Sequence, residues 1–152
     1  MKYWLMKSEA AVYSIDDLKR DKKTVWDGVR NYEARNFMRV MKSGDNAFFY
    51  HSNAEPSGVA GVMAVSRTAF ADPSQFKRGD AHYDPKATLK SPLWSSVEVS
   101  FLQNFPRIVA LEELRKTAAL RDMALFRRSR LSVQPVTPAE WRTIIHLAKN
   151  AA

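Results

Sequence analysis

At 152 residues and 45% hydrophobic content, the chain has the length of one domain and enough apolar side chain for a core of its own, so residues 1–152 are expected to fold as one unit. Cysteine is absent, which excludes disulfides and thiolate metal sites and fits a reducing compartment, with the cytoplasm as the expected location. Twenty-four Lys and Arg against sixteen Asp and Glu give a net charge of +8 and a pI near 9.9, a balance that favours a polyanionic partner such as nucleic acid.

The opening "MKYWLMKSEA" lacks the continuous apolar stretch of a signal peptide, and no segment reaches membrane-spanning length. "KYWLMK" predicts a first strand, and its unbroken apolar run is that of a strand covered on both faces. Ser14, followed three residues later by Asp17, predicts a helix start in "SIDDLKR". "VWDGVRNYEARN", Val25 to Asn36, sets a tryptophan before an Asp-Gly turn and then Asn31, a good N-cap. The helix that follows, "YEARNFMRVMK", places Ala34, Phe37, Met38 and Met41 at core spacing.

"SGD" marks a turn into a strand, "NAFFYHS". "GVAGVMAVSRTAF" predicts a second strand paired with it, and its two glycines predict close backbone approach or bends in a curved sheet. Between Ala71 and Pro92 the periodicity disappears, predicting a long surface loop of a size suited to a lid. "SSVEVSFLQNF" restores period-two alternation and predicts a strand ending at Pro106. Short helices are expected in "LEELRK" and "LRDMALF". In "TPAEWRTIIHLAK", Thr137 and Glu140 form a capping box with Pro138 at the first helical position, and Trp141, Ile144, Ile145 and Ala148 form the buried face. Several short strands, at least three helices and no regular βαβ alternation predict an α+β domain whose curved sheet or small barrel is flanked by helices.

Cofactor and metal chemistry find little purchase, and no cofactor is expected. His51, His82 and His146 stand far apart without ligand spacing. "GVAG" matches the loop of a KH module only in form, and "SQFK" lacks the "SDN" and "KTG" partners of serine acyl enzymes. Polar and aromatic residues gather instead in four places: "MKSE" at 6–9, "WDGVRN" at 26–31, "FYHSN" at 49–53 and "RLSVQPVTP" at 130–138. Beside the last lies "FRRSR", whose Arg127, Arg128 and Arg130 suit a nucleic-acid backbone.

Taken in this order, "YWLMKSE", "WDGVRNYEARNFMR", "FFYHSN" and "RLSVQPVTPAEW" resemble the EVE family, a branch of the PUA-like superfamily that also contains the YTH readers of methylated adenine in RNA. The resemblance covers nearly the whole chain and implies a PUA-like pseudo-β-barrel flanked by helices, with a pocket for a modified base. By similarity, Lys7, Ser8 and Trp26 correspond to the Lys-Ser pair and cage tryptophan of YTH domains. Asn31, Tyr50, His51 and Ser52 belong to EVE motifs bordering the same cavity, and Ser132 enters through its place in "RLSVQP". Two positions depart from the family pattern: Ala10 stands where many members have proline, and Glu33 where they have glutamine.

The chemistry of these residues agrees with that implication. A base removed from its stack loses a few kcal/mol, which a pocket offsets by sandwiching the ring and bonding its edge. Trp26 would supply the platform, at about 1 to 3 kcal/mol per base, and Asn31, Ser8 and Ser52 offer donors and acceptors. Three functions compete. One is a non-enzymatic reader whose partner is a nucleic acid carrying a modified base, or the free modified nucleoside or nucleotide. Another is a small ASCH-like amidohydrolase using Lys7 and Glu9. The third is an interaction domain with a vestigial pocket.

Overall fold

A computed structural model of the chain describes residues 1–150. Its centre is a six-stranded mixed sheet of β1 (Tyr3–Glu9), β2 (Lys23–Trp26), β3 (Asn46–Ser52), β4 (Gly58–Ala71), β5 (Ser95–Ala110) and β6 (Val133–Val136), in the order β2-β5-β4-β3-β1-β6. β1 and β3 run parallel, and every other pairing is antiparallel. The sheet curves but does not close, because β2 and β6 remain as edges. Among the described residues five helices flank it: α1 (Ile15–Asp21), α2 (Tyr32–Val40), α3 (Leu111–Lys116), α4 (Ala124–Arg127) and α5 (Pro138–Lys149).

The apolar run of β1 is unbroken because each face of the sheet carries a core. Trp4 and Met6 point to one, with Ile15 and Leu18 of α1, Ala34 and Met38 of α2, and Trp26 and Phe49. Leu5 points to the other, with Phe48, Leu114 of α3, and Trp141, Ile144 and Ala148 of α5. Period-two alternation along a strand makes this division. The helix caps form as expected: Ser14 and Asp17 complete a capping box, Thr137 and Glu140 another, and the Asn31 carboxamide oxygen accepts from the Ala34 N–H at 2.9 Å.

The expected glycine packing is present. A Cβ on Gly58 or Gly61 would collide with the backbone oxygen of Val109 or Gln103 on β5. The expected end of β5 at Pro106 is not observed, since the strand runs on to Ala110. Pro106 falls where the β4 partners jump from Asn104 to Val109, so its missing N–H interrupts no ladder bond.

The segment from Asp72 to Trp94 is surface loop for most of its length, but it is fastened from within. A 3₁₀ turn, Pro73–Phe76, carries the fully buried Gln75, whose amide donates to the carbonyls of Asp72 and Trp94 at 2.8 Å each. Its oxygen accepts from the N–H groups of Leu93 and Trp94. Both ends of the long surface loop expected from the sequence are thereby tied to one side chain.

Candidate functional site

Lys7, Ser8, Val12, Tyr13, Thr24, Val25, Trp26, Asp27 and His82 enclose a cavity of about 370 Å³, within the range of roughly 300 to 1,000 Å³ usual for small-molecule sites. Trp26 closes β2 opposite Val97 and is 7% exposed. Its indole meets Phe49 edge-on, with ring centroids 5.4 Å apart, so it serves the core on one side and the cavity on the other. The Ser8 hydroxyl donates to the Tyr13 carbonyl at 2.7 Å.

The turn after Trp26 is set by Asp72, a side chain with no exposure. One carboxylate oxygen accepts from the Gly28 N–H at 2.8 Å and from Arg30 at 3.0 Å, and the other accepts from the Ser74 N–H and hydroxyl. Burial works against the Asp72 charge, but these donors outweigh it and hold the carboxyl below its ordinary range. Gly28 has φ +78°, and a Cβ there would press into the His82 ring, so glycine is needed both for the turn and for the imidazole packed over it. Arg30 donates to the His82 carbonyl at 2.7 and 3.1 Å and fixes the histidine's backbone.

Asp27, His82, Tyr13 and Thr24 are cavity residues that sequence reasoning did not single out. Asp27 lies inside the "WDG" motif and was legible there as a turn residue only. His82 sits in an aperiodic loop, and only the close approach over Gly28 brings it to the site. No side-chain hydrogen bond engages Asp27 among the described residues, and partial burial, reinforced by the Asp72 charge, raises its carboxyl above the usual value. Burial lowers the Lys7 ammonium, which donates to the Ser129 carbonyl at 2.8 Å.

The residues expected to border one cavity are divided among several places, because register and alternation separate them. Lys7 pairs with Tyr50 and Ser8 with His51, and neighbouring pairs face opposite sides of the sheet. Tyr50 and Ser52 therefore line a second cavity of about 250 Å³ with Arg115 and Phe126, and Lys7 contributes to the walls of both. The Lys7 ammonium lies 5.7 Å from the Tyr50 ring centroid.

His51 shares the Ser8 face but is covered by α1, and its Nε2 accepts from the Ile15 N–H at 3.0 Å. Burial lowers its pKa, against the pull of Asp16 and Asp17. Ser132 lines none of these cavities. Its carbonyl accepts from the Lys7 N–H at 2.9 Å, continuing the β1–β6 pairing.

Asn31 lines a third hollow of about 260 Å³ with Arg127, Arg128, Ser129, Arg130 and Leu131. Within it Arg128 forms a two-pronged pair with Glu33 at 3.0 and 2.5 Å, which gives that family departure a structural partner. Arg127 reaches Asp122 at 3.4 Å, while Arg130 forms no salt bridge among the described residues. Ser129, which holds Lys7, joins this hollow to the second cavity. No group of three or more metal-ligating side chains occurs among the described residues.

Residues 2–147 match the model of the EVE domain. Human thymocyte nuclear protein 1 is 43% identical over 167 aligned positions, covering 97% of this chain and 74% of the human protein. Among solved structures, a protein from Leishmania major superimposes with a TM-score of 0.96 at 44% identity, over 98% of this chain and 95% of that one. Human THYN1, solved in complex with DNA containing 5-methylcytosine, superimposes with a TM-score of 0.94 at 41% identity, over 100% of both chains. On the family match and these identities, the chain belongs to the EVE domain family.

Proposed function

We propose that this chain is a non-enzymatic reader that holds a modified base of DNA in the cavity beside Trp26. The observation carrying this reading is the Trp26 indole, walled by core on one side and facing a cavity of fitting size on the other. It is supported by the 41%-identical human protein whose solved complex contains 5-methylcytosine DNA.

A flipped cytosine would stack on Trp26 and turn its polar edge toward Ser8, Lys7 and Asp27. The free Asp27 carboxylate is an acceptor for the exocyclic amine, the pairing that acidic side chains make with cytosine elsewhere. A 5-methyl group adds apolar surface worth about 0.8 kcal/mol when buried, and Val12 and Val25 of the cavity wall supply the contact. The hollow of Asn31, Arg127, Arg128 and Arg130 would take the phosphate backbone, with Tyr50, His51, Ser52 and Ser132 supporting Lys7 and the frame around it. On the absence of cysteine, a reducing compartment such as the cytoplasm is the proposed place of action.

The amidohydrolase reading finds less support. Lys7 and Glu9 lie on one side of β1, yet the Lys7 ammonium is engaged by Ser129 and the Glu9 carboxylate by the Asn53 amide at 2.8 Å.

The test is a binding screen over DNA and RNA oligonucleotides with and without single modified bases, alongside free 5-methyl-2′-deoxycytidine followed by chromatography. Preference for modified DNA and recovery of the nucleoside unchanged are expected. Equal binding of modified and unmodified strands would contradict the reading, and conversion of the nucleoside would favour the enzyme. Asp27→Ala should weaken binding of modified-cytosine DNA by roughly 1 to 3 kcal/mol, the scale of a lost base-edge contact, without unfolding the protein.

A further inference from the structure

Beside the Trp26 cavity is a second aromatic feature that the base-binding role leaves unused. Tyr32 opens α2 and is 57% exposed, although it is a large aromatic side chain. Its ring stacks on the buried Trp94, with centroids 4.7 Å apart and planes inclined by 23°. The Arg35 guanidinium lies 4.7 Å from the Tyr32 centroid and 5.9 Å from that of Trp94. A cation across the far face of Tyr32 would stand about twice the stacking distance from Trp94, so Arg35 flanks the stack rather than covering it.

The support beneath the ring is rigid. Trp94 donates through its indole N–H to Asp84 at 2.8 Å, and its backbone N–H and carbonyl are both held by Gln75. The surroundings are cationic: Arg35 and Arg39 form no salt bridge among the described residues, and both are anchored to the Leu93 carbonyl. Arg30 joins the feature to the cavity, since its guanidinium donates to the His82 carbonyl and also lies 5.3 Å from the Trp94 ring.

We propose that the exposed face of Tyr32, backed by Trp94 and flanked by Arg35 and Arg39, is a stacking platform for a nucleobase adjacent to the one held at Trp26. This rests on the base-reading function proposed above and adds a second contact to it. A base is flat and has a π-face whatever its identity, and its strand is anionic, so an open aromatic ring ringed by unpaired guanidinium groups fits it on both counts. When one base leaves the stack its neighbour loses a stacking partner, and Tyr32 would replace that partner one step along the strand.

The test is a cycle between the protein and the strand. Oligonucleotides carry one 5-methylcytosine with an intact neighbour, an abasic 5′ neighbour or an abasic 3′ neighbour, together with matching strands that carry cytosine. Each is titrated with the wild type, Tyr32→Phe, Tyr32→Leu and Tyr32→Ala, and thermal unfolding of every variant is recorded. Tyr32→Ala is expected to weaken binding of the intact strand roughly tenfold, within the range of a lost base–aromatic stack. One abasic neighbour should weaken wild-type binding by a similar factor, and combining the two should add little.

Tyr32→Phe should keep wild-type affinity. Tyr32→Leu covers Trp94 without offering a π-face and should behave like Tyr32→Ala, which separates stacking from structural support. The platform is overturned if Tyr32→Ala costs nothing, or costs the same factor with intact and abasic neighbours. If preference for 5-methylcytosine persists in that case, the inference falls alone. If the wild type does not distinguish 5-methylcytosine from cytosine, the reading it rests on falls.

Discussion

His51 illustrates how a residue can belong to a motif and yet be turned away from the cavity that the motif suggests. Its Nε2 accepts the N–H of Ile15, one of the donors that the first turn of a helix leaves without an internal partner. That bond requires an unprotonated Nε2, and burial lowers the imidazole pKa in the folded protein below the ordinary value near 6.5. The unfolded chain therefore binds the proton more readily. Stability from this site is fully present above about pH 6.5 and is lost as pH falls from there toward the depressed folded-state value. Urea unfolding between pH 7.5 and 5.5 should show this decline, and His51→Gln should flatten it while costing about 1 kcal/mol at neutral pH. A wild-type stability that stays level across the interval would contradict the assignment.

At the scale of elements, the turn from β2 into α2 depends on a residue 44 positions away from Gly28. Asp72→Asn would keep the shape but remove the charge facing Arg30 and leave one acceptor oxygen where two now serve Gly28 with Arg30 and Ser74. The expected loss is about 2 to 3 kcal/mol of unfolding free energy, below the range for a fully enclosed pair because Arg30 reaches solvent. Acid unfolding is sensitive to the same carboxyl. Its folded pKa is depressed, so its contribution is present above about pH 3.9 and disappears as pH falls toward the folded-state value. Chemical denaturation at pH 7 and at low pH checks both statements.

The elements also show what the sequence made legible. β1, β3 and α5 could be read because each is long enough for its period to repeat and each has a definite start. β2 and β6 were left without assigned spans because four residues hold barely two turns of alternation, and exposed residues, Val25 on β2 and Pro135 on β6, interrupt their apolar pattern. β5 outran Pro106 because a bulge relieved the proline of its donor duty, which only the partner strand reveals. The site was legible to the same depth. Lys7, Ser8 and Trp26 line one cavity although β5, β4 and β3 separate β2 from β1 in the sheet, a closeness that only the curved fold reveals, whereas alternation sends Tyr50 and Ser52 to a second cavity and the helix cap holds Asn31 at a third.

For the whole molecule, the net charge of +8 becomes an argument about binding only through where the charge is unpaired. Arg128 is matched by Glu33, whereas Arg130, Arg35 and Arg39 have no carboxylate partner among the described residues. If the protein grips a DNA backbone, log affinity should fall linearly with log salt, by about 0.9 for each phosphate neutralised. Arg130→Ala should reduce that slope by about one contact. Arg128→Ala should change it less, because it also frees Glu33. Titrations at several salt concentrations measure the slopes, and a flat response in the wild type would leave the free nucleoside as the better ligand.

If Trp26 reads the modification, as proposed, recognition must be measured separately from folding. Trp26→Ala removes a core side chain and should lower stability by about 3 to 5 kcal/mol, so a loss of affinity alone is ambiguous. The ratio of affinities for duplexes carrying 5-methylcytosine and cytosine is free of that ambiguity, since both are bound by the same folded fraction. Measured for the wild type, Trp26→Phe and Trp26→Ala at one salt concentration, the ratio should favour 5-methylcytosine in the wild type, shrink in Trp26→Phe and fall to one in Trp26→Ala. A Trp26→Ala protein that retains the wild-type ratio would contradict the account.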